Sequence, residues 1–117
     1  MNVNQISFNL VVIRVEDLNR SKKFYEKLGI NFLYEQHGNG EKHLCAMLSG
    51  IVFEIYPSSN NIDSSGVRLG FRVSSVDKTI EELQAIETVI VSPAKDSEWG
   101  RRAVILDPDG HKIELID

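Results

Sequence analysis

The sequence lacks the features that mark secreted and membrane-spanning proteins. Its single cysteine, Cys45, cannot form an internal disulfide, and disulfides are the usual support of small secreted domains. No apolar run approaches the roughly 20 residues that a membrane-spanning helix needs. Met1–Leu10 has neither the charged start nor the apolar core of a signal peptide. We therefore expect a cytoplasmic protein that does not bind membranes.

The sequence also lacks a basic run of the kind that binds nucleic acid. It has 13 lysines and arginines against 17 aspartates and glutamates, a formal net charge of −4, which argues against a nucleic-acid partner. What it does have is the composition of a folded domain: 117 residues, 42% hydrophobic and 26% charged. A single domain with a small-molecule or protein partner is expected.

Residues 104–116 predict two strands joined by a tight turn. The turn Asp107–Gly110 contains a proline, which fixes φ, and a glycine, which accepts positive φ. Glu114 follows in the second strand, between Ile113 and Leu115. Alternation along a strand sends its carboxylate to the face opposite those two side chains.

The first half of the chain predicts a helix among four strands. Asp17 is a suitable N-cap, and Gly29 follows the last apolar residue of a helical pattern. Alternating and β-branched residues indicate the strands, and a polar linker, 58–65, follows them. The predicted helix covers 18–28, and the predicted strands cover 9–15, 31–35, 43–48 and 51–56.

The same pattern then repeats in the second half. Arg14-Val15 recurs as Arg72-Val73, 58 residues later, and the cap Asp17 recurs as Ser75. The second helix has an apolar stripe of Val76, Ile80, Leu83 and Ile86, and its strands are predicted over 88–91, 102–107 and 112–116. We expect one domain over 1–117, built from module one (1–58) and module two (66–117).

Three segments carry a resemblance to a known family: 14–25 (Arg-Val-Glu-Asp-Leu-Asn-Arg-Ser-Lys-Lys-Phe-Tyr), 99–101 (Trp-Gly-Arg) and 107–115 (Asp-Pro-Asp-Gly-His-Lys-Ile-Glu-Leu). In this order they resemble the vicinal oxygen chelate superfamily, which includes glyoxalase I, bleomycin-resistance proteins, fosfomycin-resistance enzymes and extradiol dioxygenases. The resemblance implies an α+β fold in which two paired βαβββ modules form a curled mixed sheet around a central cup. It says less about activity, because one fold hosts several functions.

Metal-dependent members of this superfamily bind a divalent ion at four positions. The resemblance places these positions on Leu10, Glu54, Arg68 and Glu114. Leucine has no lone pair and arginine stays protonated, so neither can ligate. Glu54 and Glu114 suit a hard cation but would leave much of its coordination to water. No tightly bound catalytic metal is expected, although these two glutamates remain candidate ligands for a divalent ion.

Alternation divides the strand residues between two faces. An apolar core face is expected to pack on the helices, and a mixed cup face to line the cup. The core face comprises Val11, Ile13, Val15, Leu69, Phe71 and Val73. The cup face comprises Leu10, Val12, Arg14, Val52, Glu54, Tyr56, Arg68, Gly70, Arg72, Lys112, Glu114 and Ile116.

Within the cup, Arg68 is expected beside Glu114, in an ion pair that replaces the charge of the metal. Glu54 is expected beside Leu10, which makes it the less compensated carboxylate. It is equally open that both glutamates are remnants balanced by Arg68 and Arg72. The expected ligand-binding residues are Leu10, Arg14, Tyr56, Arg68, Arg72 and Trp99.

Other candidate residues have simpler interpretations. His43 is expected to be a tolerated strand histidine rather than a metal ligand, and His111, just after a tight turn, to be solvated. Cys45 is expected to be a small hydrophobe. Trp99 lies in a predicted irregular stretch, 95–102, as either a packed aromatic or a pocket lid; the resemblance favours the lid.

Two functions are carried forward from the sequence. The first is a metal-independent binding protein of the bleomycin-resistance or antibiotic-binding type. The second is a glyoxalase-like lyase or isomerase in which Glu54 or Glu114 is the catalytic base and any metal is weakly held. A regulatory or assembly module is a third class. The resemblance also implies a homodimer, because a second copy often completes such cups.

Overall fold

A computed structural model describes residues 4–117 and arranges them into two helices and eight strands. The elements of module one are β1 (Leu10–Val15), α1 (Leu18–Glu26), β2 (Leu33–Glu35), β3 (His43–Leu48) and β4 (Ile51–Pro57). Those of module two are β5 (Arg68–Arg72), α2 (Val76–Gln84), β6 (Ile90–Ser97), β7 (Gly100–Leu106) and β8 (Lys112–Ile116). Neither helix of the described chain is long and apolar enough to cross a membrane.

Each module forms a four-stranded sheet with the same strand order. The orders are β1-β4-β3-β2 and β5-β8-β7-β6. The first and last strands of each module pair in parallel, and the other neighbours pair antiparallel. This topology confirms the α+β fold with two paired βαβββ modules and mixed sheets.

The predicted caps fix the starts of both helices. The Asp17 carboxylate accepts a hydrogen bond from the Arg20 N–H at 3.1 Å, and the Ser75 hydroxyl accepts one from the Lys78 N–H at 3.2 Å. Both helices are shorter than the apolar patterns suggested. Gly29, with φ 101°, lies just beyond the end of α1.

The expectation of an irregular stretch over 95–102 is wrong. Strand β6 extends through Ser97, and β7 begins at Gly100, so the two form a hairpin. Register shifts interrupt their pairing between Ile90 and Ser92 and again between Ser92 and Lys95. Beyond Lys95 the pairing is regular, with Lys95 opposite Arg102 and Asp96 opposite Arg101. These charged side chains give no apolar alternation, which is the pattern that identifies a strand in a sequence.

Two of the core-face residues are buried as predicted, the other four are partly buried against the same core, and the two modules share that core. Ile13 and Val15 are only 4% and 0% exposed. The fully buried ring of Tyr25, on α1, makes edge contacts with Phe53 at 5.4 Å and with Phe71 at 6.2 Å between centroids. Because Phe71 belongs to module two, α1 of module one helps to close the core of both modules.

A buried polar group, made up of Tyr25, Asp107 and His111, links α1 to the β7–β8 turn. The Tyr25 hydroxyl donates to Asp107 Oδ2 at 2.7 Å, and His111 Nδ1 lies 2.7 Å from the same oxygen. Asp107 Oδ1 accepts the backbone N–H groups of Asp109 and His111. His111 is only 2% exposed, so the expectation that it is solvated is wrong: its ring turns inward to a buried carboxylate.

Candidate functional site

The cup face of module one runs along β1 and β4. The parallel register places Leu10 opposite Val52, Val12 opposite Glu54 and Arg14 opposite Tyr56. Glu54 is therefore beside Val12, and the expectation that it lies beside Leu10 is wrong by two residues. The reason is strand register, which backbone pairing sets and alternation along one strand cannot reveal.

Glu114, on the cup face of module two, is held by two guanidinium groups. Arg68 Nη2 lies 3.3 Å from Glu114 Oε2, which is the expected ion pair. Arg102 Nε donates to the other oxygen, Oε1. Hydrogen bonding from Arg102, followed by its charge and the contacts with Arg68, holds the pKa of Glu114 below its usual value.

Arg102 was missed by the sequence reasoning, although a signal existed. It pairs with Ile116 in the antiparallel register, and Ile116 is a cup-face residue. Side chains directly opposite each other in a sheet share a face, so β7 places Arg102 on the cup face too. In module two, the predicted cup face takes its residues from β5 and β8 alone.

The two other predicted ligand-binding residues of module two, Arg72 and Trp99, have different surroundings. Arg72 donates to the backbone carbonyl of Asp117 at 3.0 Å, so it is not the counter-charge that the alternative interpretation required. Trp99 lies at the β6–β7 turn and is 72% exposed. It is therefore not a packed core aromatic; its role as a lid stays a prediction.

In module one, four side chains form what we call the carboxylate–histidine cluster: Glu35, His37, His43 and Glu54. One donor atom of each lies within 4.8 Å of the others, so the group could hold a metal ion. His43 Nε2 lies 3.2 Å from Glu54 Oε2. His43 is thus more than a tolerated strand residue. Glu54 is the less compensated carboxylate, as expected, because Glu114 contacts two arginines and Glu54 contacts a histidine.

An aromatic and charged framework surrounds this cluster. The Tyr56 ring stacks on His43, with centroids 4.1 Å apart and planes 11° apart. Arg14 lies 5.0 Å from the Tyr56 centroid and pairs with Glu41 at 3.0 Å. Desolvation, with hydrogen bonding to Glu35 and the nearby carboxylate charges, raises the pKa of the half-buried Cys45 to about 11, so its thiol stays protonated.

The four residues at the superfamily's metal positions do not together form a metal site. Leu10 offers no donor atom, and Arg68 is a cation already paired with Glu114. Both oxygens of Glu114 face guanidinium groups. The fourth position, Glu54, has a donor atom but lies with His43 in the carboxylate–histidine cluster, not with the other three positions. Among residues 4–117, the carboxylate–histidine cluster is the group whose donor atoms lie close enough to hold a metal ion. Glu114 does not belong to it.

A separate groove of about 510 Å³ opens between the two sheets. It is lined by core-face residues Val11, Leu69, Phe71 and Val73, with Arg72 among its other lining residues. The predicted cup residues Glu54, Tyr56 and Arg68 do not line it. The chain therefore offers a ligand two distinct surfaces, the groove and the cup face.

Two βαβββ modules, each with parallel first and last strands, define the vicinal oxygen chelate fold class. Within that class, the family model described as a glyoxalase-like domain matches residues 8–117. The chain belongs to the glyoxalase-like domain family.

Solved structures share this fold. TnmS3, an antibiotic binding protein from Streptomyces sp. CB03234, is 26% identical and has a TM-score of 0.72, with 98% of each chain covered. FosX, a genomically encoded fosfomycin resistance protein from Listeria monocytogenes, is 20% identical with a TM-score of 0.70, covering 98% of this chain and 93% of that one. The second likeness concerns the fold alone.

A plant relative aligns with nearly the whole chain. The probable lactoylglutathione lyase, chloroplastic, of Arabidopsis thaliana is 31% identical over 121 residues. The alignment covers 92% of this chain but 34% of that protein. The chain thus spans about a third of the length of this relative.

Proposed function

We propose that this protein binds a small, partly apolar molecule in its cup, without a metal shared by the superfamily's four positions. The observation that carries the proposal is the double engagement of Glu114 by Arg68 and Arg102. Two guanidinium groups supply positive charge where metal-dependent relatives hold a cation. A carboxylate held in this way positions the arginines and is not a free ligand for an ion.

The surface chemistry of the cup suggests the kind of ligand. Leu10 and Val12 are 47% and 45% exposed, which gives module one an apolar strip next to the Tyr56 ring. Module two presents the exposed cations Arg68 and Lys112 in register with each other. A flat apolar body carrying an anionic or hydrogen-bond-accepting group fits both surfaces. The likeness to an antibiotic binding protein supports this choice.

An NMR titration tests the proposal. Amide spectra of the chain would be recorded with a panel of aromatic and peptide-like small molecules. We expect at least one compound to bind more tightly than about 1 mM, equivalent to about −4.1 kcal/mol, and to shift the amides of Val12, Tyr56 and Arg68. Arg68→Gln should weaken it by about tenfold, a loss of about 1.4 kcal/mol.

The charge-matched control is Lys22→Gln on α1, where Lys22 pairs with Glu26 at 3.7 Å and lies 5.6 Å from the centroid of the Tyr34 ring. It should leave the affinity unchanged. A panel with no compound tighter than the millimolar limit would contradict the proposal. So would a titration that shifts only the groove residues around Phe71, because the ligand would then occupy the other surface.

A second candidate function is proton transfer on a carbon acid by a glyoxalase-like lyase or isomerase. The name of the plant relative and the position of Glu54 favour it. Glu54 is 16% exposed, and His43 lies 3.2 Å away to stabilise or relay the accepted proton. Turnover of lactoylglutathione that is abolished by Glu54→Gln and preserved in Glu35→Gln would favour the enzyme over the binding protein.

A further inference from the structure

The carboxylate–histidine cluster is built from four different backbone segments. Glu35 ends β2, His37 lies in the following loop, His43 begins β3 and Glu54 lies in the middle of β4. Glu35 and His43 are direct cross-strand partners. Because two antiparallel strand pairs fix three of the four side chains on one face, the cluster is part of the sheet rather than a chance meeting of flexible surface groups.

His43 turns its Nε2 atom toward the other members of the cluster. His43 Nδ1 lies 3.1 Å from the backbone carbonyl of Glu41. A carbonyl can only accept, so Nδ1 carries the hydrogen. The other nitrogen, Nε2, faces Glu54 Oε2 at 3.2 Å and Glu35 Oε2 at 3.7 Å. Two anionic oxygens around that nitrogen call for a cation, either a second proton on the ring or a metal ion.

This arrangement of His43 is typical of a metal-binding histidine. Ligating imidazoles usually donate their second N–H to a carbonyl or carboxylate, which fixes the ring and raises its basicity. Here the carbonyl of Glu41 has that role, and the stacked ring of Tyr56 limits rotation. His43 is only 1% exposed, so this geometry is shielded from competing water.

The distances also suit a small transition-metal ion. Donor atoms around tetrahedral zinc, with bonds of about 2.0–2.2 Å, lie about 3.3–3.6 Å apart. In the cluster, His37 Nε2 lies 3.3 Å from Glu35 Oε2, and the His43 contacts are 3.2 and 3.7 Å. Two imidazoles and two carboxylates favour zinc or a similar borderline metal over Mg²⁺ or Ca²⁺, which prefer all-oxygen sites.

One of the two histidines is exposed and the other is buried, so a metal ion has a path into the cluster from solvent. The His37 side chain is 75% exposed and Glu35 is 35% exposed, whereas His43 is buried. An ion could reach the cluster from solvent past His37 and then bind the fixed inner donors.

We propose that Glu35, His37, His43 and Glu54 form a zinc-type metal site on the cup face of module one. Only Glu54 also lies at a position that the superfamily uses for metal. The two carboxylates balance the charge of a divalent cation, so the site is neutral when occupied. The inference goes beyond the small-molecule proposal: it uses no residue of module two.

Titration of the metal-free, tag-free chain with Zn²⁺ alone tests the site by calorimetry. We expect one Zn²⁺ per chain with a Kd below about 10 μM. His43→Asn should weaken binding by more than about 100-fold, beyond the usual effect of losing an outer hydrogen-bond partner. Glu35→Gln and His37→Asn, at the exposed edge where folding is not at risk, should each weaken it by about tenfold or more.

Two control variants make the test specific. Glu41→Gln removes a carboxylate next to the cluster but keeps the backbone carbonyl that His43 contacts, and it should bind Zn²⁺ like the parent chain. Glu114→Gln should do the same, because Glu114 lies outside the cluster. A Kd above the 10 μM limit, or a loss in Glu114→Gln as large as in His43→Asn, would overturn the proposal.

Side-chain nitrogen NMR separates a metal from a second proton. With Zn²⁺ bound, Nε2 of His43 should lose its proton coupling and shift to the position of a metallated nitrogen, while Nδ1 stays protonated. If both nitrogens of His43 remain protonated with excess Zn²⁺, the cluster is an ion pair only and the proposal fails. The small-molecule titration omits Zn²⁺, so either proposal can fail alone.

Discussion

Removing the Tyr25 hydroxyl tests whether the buried polar group holds the two modules together. Tyr25→Phe keeps the ring and its edge contacts with Phe53 and Phe71, so the change in packing is small. It deletes one donor, at 2.7 Å, to Asp107 Oδ2. Asp107 keeps His111 Nδ1 and two backbone N–H groups. The variant therefore isolates one buried hydrogen bond between α1 and the β7–β8 turn.

The expected cost follows from the charge of the acceptor. A hydrogen bond to an ionised group contributes about 1.5–3 kcal/mol, against about 0.5–1.5 kcal/mol for a neutral one. We expect Tyr25→Phe to lower the free energy of unfolding by about 1.5–3 kcal/mol. In an Asp107→Asn background, where the acceptor is neutral, the same change should cost only about 0.5–1.5 kcal/mol.

Urea unfolding followed by circular dichroism measures these free energies. The matched control is Tyr34→Phe, because the Tyr34 hydroxyl donates at the same 2.7 Å distance to Asn19 Oδ1 but on the surface. Its cost should stay within about 0.5 kcal/mol. If Tyr25→Phe costs no more than this control, the reasoning about the buried carboxylate is refuted.

Three further predictions concern the whole fold. Hydrogen bonding to Asp107 raises the pKa of His111 from 6.5. Protonated His111 therefore stabilises the folded state fully below pH 6.5, and this contribution is lost as pH rises through the folded-state pKa. Burial acts to raise the pKa of Asp107, but its hydrogen bonds outweigh burial and hold the pKa below 3.8. The ionised Asp107 carboxylate therefore stabilises the folded state above pH 3.8, and this contribution is lost as pH falls further. Chemical unfolding measured across pH should show both losses of stability, and a flat profile would contradict them. Gly100→Ala should lower the stability measured by thermal unfolding by about 1–3 kcal/mol, because Gly100 has φ 132° and the new Cβ would lie 2.6 Å from a backbone oxygen. The control Gly66→Ala, where no atom lies within 4 Å of the new Cβ, should leave the stability unchanged. Equal losses in the two variants would argue against backbone strain at Gly100. Light scattering should give the mass of a homodimer, and a monomer at all concentrations would refute that expectation.

The fold was largely predictable because its signals are local. Asp17 and Ser75 cap helices through their own side chains, and alternation marks the strands whichever residues pair with them. The repeat of Arg14-Val15 as Arg72-Val73 meant that each helix and strand pattern could be checked against its counterpart in the other module. Prediction failed over 95–102, where the strands pair in regular register but their charged side chains give no apolar alternation.

The candidate site was less predictable because its contacts join distant segments. Alternation assigned Glu54 and Glu114 to the cup face but could not determine their partners. Register placed Glu54 beside Val12, and the pairing of β3 with β4 brought His43 to Glu54. Arg102 reached Glu114 in the same way.

The sequence by itself thus determined most of the elements, the duplicated module and the faces of the strand residues in β1, β4, β5 and β8, since these follow from neighbours along the chain. Only the tertiary structure decided which charges meet. It buried His111 against Asp107, gave Glu114 two arginines and gathered the carboxylate–histidine cluster. The physical reason is that a charged group is stabilised only by partners within a few ångströms. Strand pairing, not separation along the sequence, sets those distances.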